Sequence, residues 1–87
     1  MSAKKVEMYF KPGCPFCTRA KTLLTSKGLD VIEYNAFMDV DHRKDMLQRA
    51  NGGRTYPQIF IDDVHVGGSD DLADLERAGK LDGMLTD

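Results

Sequence analysis

An 87-residue chain with 41% apolar and 30% charged residues has the makeup of one soluble globular domain built on a single core. A formal net charge of −2 leaves no electrostatic footprint for nucleic acid or an acidic membrane surface, so neither is expected as a partner. No apolar run approaches the roughly 20 residues of a membrane-spanning helix, and Met1-Ser2-Ala3-Lys4-Lys5 leads into a strand-length run rather than a signal-peptide core. A reducing cytoplasm is the expected location, with removal of an organellar presequence left open; there a cysteine pair is more often catalytic than structural.

In chain order, Lys5 to Phe10 alternates and then becomes apolar, as a strand entering a sheet interior does. Lys11-Pro12-Gly13-Cys14-Pro15-Phe16-Cys17 follows and holds both cysteines of the chain. Pro-Gly marks a loop, and Pro15 suits the first position of a helix. Phe16, Ala20, Leu23 and Leu24 recur at helical spacing, with Gly28 as the stop. A Cys-x-x-Cys at a strand-to-helix junction reads as a redox pair. The unpaired N–H groups and the dipole of the first helical turn favour a thiolate, which lowers its pKa. Cys14 is therefore assigned as an exposed nucleophile, with Lys11 adding positive charge, and Cys17 as its more buried resolving partner. Other readings compete. A structural disulfide would close too short a loop to gain much. A zinc site needs four ligands, so it stays open only as a site shared between two chains. Inert core cysteines fit poorly with the flanking prolines.

Further along, Leu29 to Tyr34 reads as a second strand, parallel to the first because a helical crossover joins them. Asp39 or Asp41 caps a second helix running to about Ala50, with Met46, Leu47 and Ala50 inward and Asn51-Gly52-Gly53 as its stop. Tyr56 to Ile61 and Val64 to Val66 read as two strands joined in a hairpin at Asp62-Asp63. Ser69 is the expected N-cap of a third helix carrying Leu72, Leu75 and Ala78, ended by Gly79; a helical tail spans Leu81 to about Thr86. The order β-α-β-α-β-β-α predicts an α/β domain over residues 1–87, with a four-stranded mixed sheet of two parallel strands plus an antiparallel hairpin, flanked by helices.

With these motifs placed, the chain resembles a dithiol glutaredoxin, a member of the thioredoxin-like fold. The likeness rests on Cys14-Pro15-Phe16-Cys17, on Arg54-Thr55-Tyr56-Pro57-Gln58-Ile59-Phe60-Ile61, on Asp62-Asp63 and on Gly67-Gly68-Ser69-Asp70-Asp71-Leu72. It implies a glutathione-dependent thiol–disulfide oxidoreductase active in electron transfer, deglutathionylation and redox homeostasis. Glutathione is then the reducing co-substrate, and no metal is expected. The resemblance makes Pro57 cis and Tyr56 the backbone partner of the glutathione cysteine. It directs Lys11 to the glycine carboxylate, and Gly68, Ser69 and Asp70 to the γ-glutamyl end. Phe16 and Thr55 complete the expected site. Expected partners are glutathionylated or disulfide-containing proteins, with ribonucleotide reductase as a specialised alternative, and the chain is expected to be a monomer. A glutathione-ligated dimer holding an iron–sulfur cluster is a second alternative, disfavoured by Pro15 and Cys17. Three positions depart from the common family pattern: Phe16 for tyrosine, Tyr56 for a small β-branched residue, and Ser69 where some members carry cysteine.

Overall fold

Strand alternation divides the molecule into three layers, described for residues 5–85 in a computed structural model. Strand β1 (Val6–Phe10) lies at the sheet centre, in the order β2-β1-β3-β4. It pairs parallel with β2 (Val31–Asn35) and antiparallel with β3 (Gln58–Ile61), which pairs antiparallel with β4 (Val64–Gly67). Successive side chains of a strand face opposite ways. Val6 and Met8 of β1, with Ile59 and Ile61 of β3, therefore meet Cys17, Ala20 and Leu24 of helix α1 (Pro15–Ser26). Leu72 of α3 (Ser69–Arg77) and Leu81 and Leu85 of α4 (Leu81–Leu85) close the same cluster. Tyr9 and Phe60 face the other way, onto Met46 of α2 (Val40–Arg49), Ala50 and Ala36. This is the four-stranded mixed sheet with flanking helices that the sequence predicts.

Element ends differ by a residue or two for identifiable reasons. Strand β3 starts at Gln58 rather than Tyr56, since Pro57 has no N–H to give to the ladder. Strand β2 occupies Val31–Asn35 rather than Leu29 to Tyr34. Of the two acidic cap candidates for α2, Asp39 is used: its carboxylate accepts from the N–H groups of Asp41 and His42. Asp62 and Asp63 both take positive φ between the paired residues Ile61 and Val64, the two-residue turn that matches strand twist. The predicted end of the tail helix at Thr86 lies outside the described residues.

The expected cap of α3 is also corrected. Ser69 is not the cap of α3 but its first helical residue, and the cap is Gly68, in extended backbone conformation. The capping oxygen comes from inside the helix, where the Asp71 carboxylate accepts from the Gly68 N–H at 3.0 Å. Gly67 makes room for it: with φ +115, a Cβ there would overlap the Asp71 carboxylate. Gly67→Ala combines an unfavourable backbone region with loss of the cap. It is expected to cost about 2 kcal/mol, read as a melting temperature lowered by roughly 10 °C. An unchanged melting temperature would contradict this packing.

Candidate active site

The catalytic candidates sit where β1 hands the chain to α1. Cys14 is the N-cap of α1 and Pro15 its first residue, so the sulfur faces the amide-rich helix start that the sequence predicts. Cys14 and Cys17 are both free thiols. Burial of Cys14 works against its thiolate, but several favourable groups outweigh it: the Cys17 thiol, the backbone N–H groups of Cys17 and Phe16, and the charge of Lys11. The net effect is a pKa below that of an ordinary thiol. Burial pushes Cys17 the opposite way, up to about 11, and the adjacent Cys14 thiolate adds to that rise. Near neutral pH the inner thiol thus keeps its proton and offers it as a hydrogen bond to the outer sulfur.

Accessibility does not separate the pair as expected. Cys14, read from the sequence as exposed, is 8% exposed, against 5% for Cys17. Its Sγ lies 4.0 Å from the Tyr56 carbonyl oxygen, so a second segment of chain covers it. The division between the two sulfurs is electrostatic rather than a matter of exposure.

That second segment contains the cis Tyr56–Pro57 bond, in the configuration that the resemblance implies. A cleft of about 370 Å³ opens beside it, lined by Phe16, Thr55, Tyr56, Gly68, Ser69 and Asp70. Residues far apart in sequence, from α1, the 55–56 segment and the start of α3, thus share one wall. Pro57 is buried, and its carbonyl lies 3.5 Å from where a Cβ would sit on Gly68. Lys11, Cys14 and Cys17 line a separate depression of about 310 Å³. Tyr56 stands between the two, with the Lys11 ammonium 5.9 Å from its ring centroid and its carbonyl turned to Cys14. Phe16 presents a half-exposed ring to the cleft, with the Arg19 guanidinium 5.6 Å from its centroid.

The cleft also has walls that the sequence reading did not assign to the site: Gln58, His65, Gly67 and Asp71. Gln58 was legible as part of the Thr-x-Pro-Gln run. His65 carried no local signal beyond its place on a short strand. At the helix start of α3, N–H groups and dipole together make the Gly68–Asp70 wall receptive to an anion. Asp70 adds a carboxylate that can pair with an ammonium group.

A thiolate-stabilising helix start, a second thiol one turn on and a cleft alongside, on this sheet, define a thiol–disulfide oxidoreductase of thioredoxin-like fold. Comparison with known proteins narrows the class. The glutaredoxin family model matches residues 6–66. A probable glutaredoxin of Synechocystis sp. is 52% identical over 81 residues, covering 93% of this chain and 92% of the relative. Glutaredoxin 3 of Escherichia coli is 48% identical over 80 residues, covering 92% and 95%. The solution structure of a Brucella melitensis glutaredoxin superposes with a TM-score of 0.83 at 49% identity, covering 99% of this chain and 92% of that one. A buckwheat glutaredoxin–glutathione complex superposes with a TM-score of 0.82 at 30% identity, covering 94% and 76%. The chain belongs to the glutaredoxin family.

Proposed function

We propose that this protein uses glutathione to reduce glutathione mixed disulfides and protein disulfides, with Cys14 as nucleophile and Cys17 as resolving thiol. The observation that carries the reading is the Cys14 sulfur, held at the start of α1 with a lowered pKa and against the Tyr56 carbonyl that borders the cleft. The glutathione bound by the buckwheat relative agrees with it. In deglutathionylation, the Cys14 thiolate attacks the glutathionyl sulfur of the mixed disulfide. A Cys14–glutathione bond forms, the substrate's sulfur–sulfur bond breaks, and the substrate thiolate leaves and takes up a proton. A second glutathione, as thiolate, attacks the glutathionyl sulfur; glutathione disulfide departs and Cys14 returns as thiolate. For a disulfide within a protein, the Cys14 thiolate attacks one substrate sulfur: a Cys14–substrate bond forms, the substrate disulfide breaks, and its other sulfur leaves as a thiolate and takes up a proton. Cys17 then loses its proton and attacks Cys14, releasing the second substrate thiol and leaving a Cys14–Cys17 bond that two glutathiones reduce.

Tyr56 offers its backbone to the glutathione cysteine. Lys11 takes the glycine carboxylate. The backbone N–H groups of Ser69 and Asp70, at the start of α3 beside Gly68, take the γ-glutamyl carboxylate, while the Asp70 carboxylate pairs with its ammonium. Phe16 and Thr55 frame the sulfur and the peptide between them. The reaction consumes reduced glutathione, which suits a reducing compartment such as the cytoplasm. Its protein partners are glutathionylated or disulfide-bonded proteins, ribonucleotide reductase among the candidates, and the chain acts as a monomer.

The test is to titrate the Cys14 thiolate by its ultraviolet absorbance while assaying reduction of the β-mercaptoethanol–glutathione mixed disulfide. The rate is expected to rise with pH along the thiolate titration and to level off below the range where an ordinary thiol ionises. An ordinary Cys14 pKa with no glutathione-dependent turnover would refute the reading.

A further inference from the structure

Gln58 is a polar side chain buried to 4% exposure on β3, and its amide is fully committed. Its Nε2 lies 2.9 Å from the Thr55 carbonyl oxygen and 3.0 Å from Thr55 Oγ1. Its Oε1 lies 2.7 Å from His65 Nε2. Chemistry orders this chain. A carbonyl oxygen only accepts, so the NH2 group of Gln58 must face Thr55, and the amide oxygen is left facing His65. His65 must then carry its proton on Nε2 and donate it. The Thr55 hydroxyl, already accepting from Gln58, keeps its own hydrogen free to donate into the cleft that it lines. The His65 ring is itself held in place, stacked on the buried Phe60 with centroids 4.9 Å apart and planes 26° apart.

We infer that His65 and Gln58 are positioning residues: through the ordered chain His65 Nε2–H to Gln58 and Gln58 to Thr55, they aim the Thr55 hydroxyl as a donor at an acceptor oxygen of the bound peptide. This inference rests on the glutathione reading above and adds to it the groups that orient one wall of the cleft. The geometry supports a function beyond packing. A buried glutamine needs its hydrogen bonds satisfied, and it finds them in Thr55, three residues back, and in His65 on the facing strand. Here they tie the edge strand β4 to the residue preceding Tyr56, the segment whose carbonyl meets the Cys14 sulfur. Donors in a chain also polarise one another, so the last hydroxyl is a better donor than an isolated one.

The test compares His65→Phe, which keeps a ring to stack on Phe60 but has no donor, with His65→Gln, whose terminal amide can donate again. Steady-state kinetics on the β-mercaptoethanol–glutathione mixed disulfide should show KM raised about fivefold in His65→Phe, the worth of one neutral hydrogen bond. In that variant kcat and the Cys14 thiolate titration should stay as in the parent. His65→Gln should restore most of the KM. Thr55→Val, which removes only the hydroxyl, should raise KM to a similar extent, and adding His65→Phe to it should raise KM little further. An unchanged KM in His65→Phe, a loss equal in His65→Gln, or fully additive effects with Thr55→Val would each overturn the proposal. A parent protein without glutathione-dependent turnover would instead fail the function proposed above, so the two failures are distinguishable.

Discussion

Cys14→Ser is expected to reduce glutathione-dependent turnover to background for every substrate. A serine hydroxyl is not ionised near neutral pH and cannot take the place of the thiolate. Cys17→Ser is expected to behave differently on two substrates. Reduction of a glutathione mixed disulfide needs only Cys14 and should stay within the same order of magnitude as the parent. Reduction of an intramolecular protein disulfide needs the second thiol and should be lost. The geometry adds a pH signature. Cys17 donates to the Cys14 sulfur and is one of the groups that lower its pKa. Removing that donor altogether, in Cys17→Ala, should move the rising limb of the rate profile toward alkaline pH, because a smaller thiolate fraction is present at any given pH. Equal loss of deglutathionylation in Cys14→Ser and Cys17→Ser would sink this division of labour.

Arg49→Leu is expected to be the most destabilising of the substitutions considered. Glu7 is 3% exposed at the centre of the sheet, and the Arg49 guanidinium bonds both of its oxygens, at 3.2 and 3.0 Å. Tyr34 Oη donates to the same carboxylate at 2.8 Å, and Arg49 also lies over the Phe60 ring, 4.1 Å from its centroid. Breaking one side of this buried pair leaves the carboxylate with only the Tyr34 hydroxyl and the more distant Lys5 ammonium, 3.9 Å away, at a cost of about 3 kcal/mol, or roughly 10–20 °C in melting temperature.

The pH dependence gives a sharper check. In the parent, burial raises the Glu7 pKa, but hydrogen bonds from Arg49 and Tyr34 and the charges of Arg49 and Lys5 hold it below its ordinary value of 4.5. A carboxyl with a lowered folded pKa stabilises the fold above its unfolded pKa, and that contribution is lost as pH falls through the folded value. In Arg49→Leu the guanidinium is gone while Tyr34 and Lys5 remain, so the Glu7 pKa rises relative to the parent; the penalty is full near neutrality and shrinks as the carboxyl takes up its proton. The gap in melting temperature between variant and parent should therefore narrow from pH 7 to pH 4. A gap of equal size at both would show that Arg49 acts by packing alone. Adding Glu7→Gln to Arg49→Leu should recover part of the loss at pH 7, because no charge is then left unpaired.

Most of the architecture was legible because its signals are local. Val6 to Phe10 alternates with period 2, and Phe16, Ala20 and Leu24 recur with the helical period, so element type and order follow from a few neighbouring residues. Pro12-Gly13 and Pro15 mark the helix start, and the Cys-x-x-Cys spacing places the second thiol one turn on. The choice of Asp39 over Asp41, and of Gly68 with Asp71 over Ser69, was not legible in the same way. Each candidate could supply a suitable conformation or oxygen locally, and the entry path of the chain selects among them.

Residue types, their periods and their short spacings were enough to specify an α/β sheet with a cysteine pair at a helix start, and the resemblance to a family added the segments expected to flank it. Folding alone chose the long-range partners: Arg49 for Glu7, 42 positions away, the Tyr56 carbonyl for the Cys14 sulfur, also 42 positions away, and His65 for Gln58 across a hairpin. A contact between groups far apart in sequence, or facing each other across two strands, leaves no local period or spacing to read. It exists only once strand pairing and helix packing have brought its two ends within reach of each other.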